Sequence, residues 1–88
     1  MRKILTTKTF DKVFIKLSSK NSGLHLEIIE TLKILSNDVN DSKLRTHKLN
    51  GNLKDYFACR VNYSIRIVFK YDNEYIYLET IGTHDEVY

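Results

Sequence analysis

From Arg60 to Tyr71 the chain alternates, and the alternation separates charge from hydrocarbon. Val61, Tyr63, Ile65, Ile67, Phe69 and Tyr71 fall on one side of an extended chain; Arg60, Asn62, Ser64, Arg66, Val68 and Lys70 fall on the other. A period of two specifies a strand packed on one face and open to water on the other. The first half keeps a different period. Phe10, Val13, Phe14 and Leu17 recur at helical spacing, with Thr7 or Thr9 available as the cap. Lys8, Lys12, Lys16 and Lys20 form a stripe of like charge opposite them, so the apolar face must hold that helix down. After Asn21-Ser22-Gly23, a second helix places Leu24, Ile28, Leu32, Leu35 and Val39 on one face.

Arg2 to Thr6 fits a short first strand. Asp72-Asn73 can make a two-residue hairpin turn with positive φ. Glu74 to Ile81 then reads as a strand buried through Ile76, Leu78 and Ile81. Gly82 is expected to end it and release Thr83-His84-Asp85 as a loop at the sheet's rim. The expected fold is α+β, in the order β-α-α-β-β-β, with an antiparallel pair of helices packed on a small antiparallel sheet. Eighty-eight residues suffice for one domain, 1–88, with one small core. No apolar run reaches the length of a membrane span or a signal peptide, and one cysteine, Cys59, forms no disulfide framework or cysteine-based zinc cluster. A reduced, cytoplasmic domain is expected.

The net charge of +3 conceals a division along the chain. Residues 43–70 hold seven Lys/Arg against Asp55 alone, whereas residues 71–88 hold five acids and neither Lys nor Arg. A basic block in one stretch of a small domain suits an anionic polymer; the plainer alternative is a solvated basic face. Arg60 and Arg66 share the polar face, but six residues of straight strand separate them by about 20 Å. They meet only if the strand is folded at Asn62-Tyr63 into a hairpin. His25, beside the apolar stripe, reads as structural or exposed. The tyrosines at 56, 63, 71, 75 and 77 read as strand-forming residues, and Cys59 as a small buried one.

The block from Leu44 to Tyr88 resembles the RelE superfamily of bacterial toxin–antitoxin toxins, especially its YafQ-like and RelE/StbE-like branches. Four elements carry the resemblance: His47-Lys-Leu-Asn-Gly51, the Tyr-x-x-x-Arg of Tyr56 to Arg60, the strand Tyr63 to Phe69, and the closing Ile81-Gly-Thr-His-Asp-Glu-Val-Tyr88. It implies the same order of elements and favours the hairpin split. Its implied function is a ribosome-dependent endoribonuclease that cuts mRNA, without metal or cofactor, by attack of the RNA's own 2′-hydroxyl. Arg60 and Arg66 would stabilise the phosphate, His84 would protonate the leaving oxygen, His47 would serve as base, and Tyr88 would stack on a base or position the phosphate. Lys48, Lys54 and Lys70 would bind RNA. The implied partners are the ribosome, mRNA and an antitoxin with an acidic, amphipathic segment. Two alternatives share the fold: a ParE-like inhibitor of DNA gyrase, and an inactive member that only binds. The chain departs from RelE in having His84 where RelE has an arginine near its end. Leu53 and Phe57 stand where YafQ-like members often carry tryptophan.

Overall fold

The computed structural model describes all 88 residues, Met1–Tyr88. The elements run β1 (Lys3–Thr6), α1 (Lys8–Lys20), α2 (Ser22–Asn37), β2 (His47–Lys48), β3 (Phe57–Arg60), β4 (Ile65–Tyr71), β5 (Tyr75–Thr83) and α3 (His84–Val87). The fold is α+β. Thr7, not Thr9, caps α1: its hydroxyl oxygen accepts from the Phe10 amide at 3.1 Å. A single residue, Asn21, separates the first two helices, and its side chain caps α2 by accepting from the Leu24 amide at 3.0 Å. His25 bridges the pair, its Nδ1 2.9 Å from Ser18 Oγ and its ring 5.5 Å from that of Phe14. Val39 is buried but lies beyond the end of α2. No helix is long and apolar enough to cross a membrane.

The five strands form one sheet in the order β1-β5-β4-β3-β2. The sheet is mixed rather than wholly antiparallel, because β1 runs parallel to β5 in the register Lys3↔Tyr75 to Thr6↔Leu78. Ser36, in the last turn of α2, fixes this edge. Its hydroxyl donates to the Arg2 carbonyl at 2.8 Å, and the Arg2 amide donates to the Ser36 carbonyl at 3.0 Å. The turn from β4 to β5 contains no positive φ, contrary to expectation. The Asp72 side chain shapes it by accepting from the Glu74 and Tyr75 amides, both at 2.8 Å.

One irregularity sets the phase of the last strand. Register slips between Val68↔Thr80 and Phe69↔Leu78, leaving Glu79 as an extra residue on β5. The Thr7 hydroxyl donates to the Glu79 carbonyl at 2.8 Å, so the cap of α1 also secures the bulge. Strict alternation would turn Ile81 away from Ile76 and Leu78. The bulge restores it to their side, and all three are buried in the main core with Phe10, Ile28, Leu35, Ile67 and Phe69.

The alternating stretch from Arg60 to Tyr71 is split by a hairpin turn that includes Asn62-Tyr63, the division that the family resemblance favours. β3 and β4 pair from Phe57↔Phe69 to Arg60↔Arg66, and residues 61–64 turn between them. Two face assignments change as a result. Tyr63 is 85% exposed in the turn rather than packed on the helices. Val68, expected in solvent, is fully buried on the opposite side of the sheet, in a second cluster with Leu49, Ala58 and Val87. Nor does Gly82 release a loop. β5 continues to Thr83, and α3 starts at His84, folding back so that Val87 covers Val68.

Candidate nucleic-acid interface

The second face of the sheet carries a row of registered positions: Arg60 opposite Arg66, and Arg66 opposite Gly82. Gly82 ends this row with no side chain on its β5 side. A Cβ there would lie 3.0 Å from Glu86 Oε1 and 3.3 Å from Val87 Cγ1, so the absent side chain is what lets α3 lie close. A capping box holds the helix start. The Thr83 amide donates to Glu86 Oε1 at 2.8 Å, and Thr83 Oγ1 accepts from the Glu86 amide at 3.4 Å. Hydrogen bonding to the Thr83 backbone amide, and secondarily to the Thr83 side chain, holds the Glu86 carboxyl below its ordinary range. This turn delivers His84 and Tyr88 to the same side of the sheet as the arginines.

Arg45, His47, Arg60 and Arg66 line a cavity of about 250 Å³ with no hydrophobic residue in its wall. Arg66 is the most constrained member. Its Nη1 donates to the carbonyls of Asn62 at 2.7 Å, Tyr63 at 3.1 Å and Ile65 at 3.2 Å. One nitrogen is thereby saturated, while Nε and Nη2 make no hydrogen bond within the chain. Asn62 organises the turn that supplies two of those carbonyls. Its Oδ1 accepts from the Ser64 and Ile65 amides at 2.9 and 2.8 Å, and its Nδ2 donates to Glu27 Oε1 on α2 at 3.0 Å. The arginine is therefore braced through its turn to a helix. The only acid–base side-chain pair within 4.0 Å is His84 with Asp85, an ion pair only when the imidazole is protonated, so no carboxylate lies within 4.0 Å of the three arginines. Such a cluster favours an anionic ligand.

The Arg45 carbonyl favours one neutral tautomer of His47. Its Nδ1 lies 3.2 Å from the Arg45 carbonyl, and a carbonyl only accepts, so in the neutral ring Nδ1 carries the hydrogen and Nε2 is bare. Nε2 faces the Tyr88 hydroxyl across a long contact of 3.5 Å. Burial raises the pKa of that phenol against the opposing effect of Arg66, so Tyr88 holds its proton at neutral pH. Tyr88 stands between the histidines: ring centroids are 6.3 Å apart to His47 and 4.4 Å to His84, both edge-on. His84 is 66% exposed and lies outside the cavity wall, its Nδ1 3.6 Å from the fully exposed Asp85. Glu86 serves the helix cap.

Of the residues singled out in the sequence, Arg60, Arg66 and His47 thus share the cavity wall, while Tyr88 lies against His47 and His84 against Tyr88, outside that wall. Lys48, Lys54 and Lys70 do not line the cavity; all three are exposed, and the Lys70 ammonium lies over the rings of Tyr56 and Tyr77 at 5.6 and 6.0 Å. Arg45 was missed. It adopts a left-handed conformation, φ 50°, ψ 42°, that few residues other than glycine take, and no sequence pattern announces it. His, Cys, Asp and Glu side chains form no group of three placed to share a metal ion.

Comparison with known proteins agrees with this architecture. YafQ from E. coli strain BL21(DE3) superposes with a TM-score of 0.82 at 20% identity, covering 100% of this chain and 99% of that one. The E. coli DinJ–YafQ toxin–antitoxin complex matches at TM-score 0.79 and 21% identity over 99% and 97% of the two chains. The YoeB–YefM complex from Staphylococcus aureus matches at TM-score 0.79 and 22% identity over 96% and 98%. No curated protein sequence matches the chain significantly. The sequence pattern of one family, described as a bacterial toxin of type II toxin–antitoxin systems, YafQ, matches residues 2–88. With 87 of its 88 residues inside that match, the chain belongs to the YafQ family of bacterial type II toxins.

Proposed function

We propose that this toxin is an endoribonuclease that cuts mRNA on the ribosome and so halts translation. The observation that carries the reading is the arginine-walled cavity with a bare imidazole nitrogen at its rim. Arg45, Arg60 and Arg66 hold the scissile phosphate and stabilise the charge that builds on it. His47 Nε2 takes the proton from the ribose 2′-hydroxyl, which attacks the adjacent phosphorus. The bond to the 5′-oxygen breaks, and His84 gives that oxygen a proton, leaving a cyclic phosphate and a 5′-hydroxyl. Tyr88, protonated and wedged between the histidines, keeps both rings edge-on and supplies a hydroxyl beside the phosphate. The ribosome orients the message, which lets so few residues suffice.

The same cavity needs a cover in the resting cell. The toxins of the DinJ–YafQ and YoeB–YefM complexes are seen with antitoxins, and a cognate antitoxin is the partner proposed here. Induction of the toxin alone tests the reading. Amino-acid incorporation is expected to stop before thymidine incorporation, and new mRNA 5′ ends are expected within coding sequence. Prompt loss of DNA synthesis with intact mRNA would instead indicate a gyrase-directed toxin.

A further inference from the structure

Two exposed aromatic side chains flank the cavity's wall, Tyr88 beside His47 and the more exposed Tyr63 beside Arg60. Tyr63 is 85% exposed, yet its surroundings are ordered by hydrogen bonds rather than left to a loose loop. Asn62 closes the turn by accepting from two amides and fastens it to Glu27 of α2. The Tyr63 carbonyl accepts from Arg66 Nη1 at 3.1 Å, and the Arg60 guanidinium lies 6.0 Å from the centre of the Tyr63 ring. Both arginines line the cavity. An aromatic ring of this size on a braced turn, beside cations that favour a phosphate, has the parts of a single-stranded nucleic-acid platform: charge for the backbone and a flat face for a base.

We propose that Tyr63 is a base-stacking platform for a nucleotide flanking the scissile phosphate of single-stranded RNA. The inference rests on the ribonuclease reading. Arg60 sits between the two halves of the site, able to hold phosphate oxygens while its guanidinium stays beside the aromatic ring. Stacking is indifferent to base identity because every base has a π-face, so Tyr63 strengthens binding and aligns the strand without dictating a sequence. Tyr63 acts here as a positioning residue; it moves no proton.

The test is single-turnover cleavage of a short mRNA on programmed ribosomes by wild type, Tyr63→Phe and Tyr63→Ser. Phenylalanine should retain near-wild-type cleavage at subsaturating toxin, whereas serine should lower it by about five- to a hundredfold, the range of one lost base stack. An abasic nucleotide placed in turn on either side of the cleaved bond supplies the decisive arm. At one of the two positions it should slow wild type by a similar factor yet hardly slow Tyr63→Ser further, since both remove the same contact. Full additivity at both positions, or a Tyr63→Ser variant as fast as wild type, overturns the platform. So does a serine variant with unchanged cleavage and weakened antitoxin binding, which would make Tyr63 a protein contact. A wild-type chain that leaves the programmed mRNA intact sinks the ribonuclease reading itself, which the tyrosine series cannot do.

Discussion

His84 and His47 occupy unequal positions, and the difference predicts unequal consequences of removing them. His84 is largely exposed and has only Tyr88 and the adjacent, fully exposed Asp85 beside it, so His84→Ala should leave the melting temperature nearly unchanged. Loss of a general acid should slow cleavage by about 10²- to 10⁴-fold. A folded His84→Ala chain that cleaves at the wild-type rate would remove the residue from the mechanism. At this scale the sequence was legible where a residue type carries its own chemistry: two histidines, two strand arginines and an aromatic chain end. It was silent on Arg45, whose place depends on a backbone conformation, and wrong on Tyr63. Alternation alone runs on through a turn that hydrogen bonds of Asn62 create; only the family resemblance points to the break there.

Among the elements, α3 is the shortest helix and the one on which the site depends. Its four residues are too few to nucleate alone. They persist because Thr83 and Glu86 cap them, Val87 fills the second core cluster and Gly82 allows close approach. Gly82→Ala should force α3 outward by a few tenths of an ångström. The expected cost is about 1–2 kcal/mol by urea unfolding, with a loss of cleavage of about 10- to 100-fold because His84 and Tyr88 shift together. Unchanged cleavage in that variant would show that the position of α3 is uncritical. The longer elements were readable from sequence since each repeats its period several times. Phe10 to Leu17 and Leu24 to Leu35 announce their helices, and Ile65 to Tyr71 its strand. A one-turn helix has no period to read, and the parallel pairing of β1 with β5 joins residues some seventy positions apart with no local signature. The bulge at Glu79 is likewise visible only once β4 and β5 are aligned.

Across the whole molecule, stability should respond to pH on both sides of neutrality. Burial pushes the Cys59 thiol up from its ordinary 9.0 to about 12. The unfolded chain therefore releases this proton at lower pH than the folded one. The contribution is complete below about 9 and is lost as pH climbs from there towards about 12. Asp72 and Glu86 act in the opposite direction. Backbone hydrogen bonds hold both carboxyls below their ordinary 3.8 and 4.5, so their contribution disappears as the solution is acidified through that region. Urea midpoints measured across pH should trace a plateau with two falling limbs. Cys59→Ala should flatten the alkaline limb without abolishing it, because the Tyr77 and Tyr88 phenols are also raised. An alkaline limb unchanged by that substitution would assign it to the tyrosines alone.

The placement of β5 also orders events in time. It is the strand that joins β1 to β4, and it leads directly into the helix that begins at His84 and is capped by Tyr88. In a growing polypeptide the two long helices emerge first, with apolar faces and no completed sheet to cover them. The first strand waits for a neighbour made some seventy residues later. Until that neighbour arrives the chain has neither its core nor its full set of reactive groups. Under the ribonuclease function proposed above, a nascent copy is harmless to the ribosome producing it, and also at its most vulnerable to proteases. Potency and foldedness are acquired in the same late step.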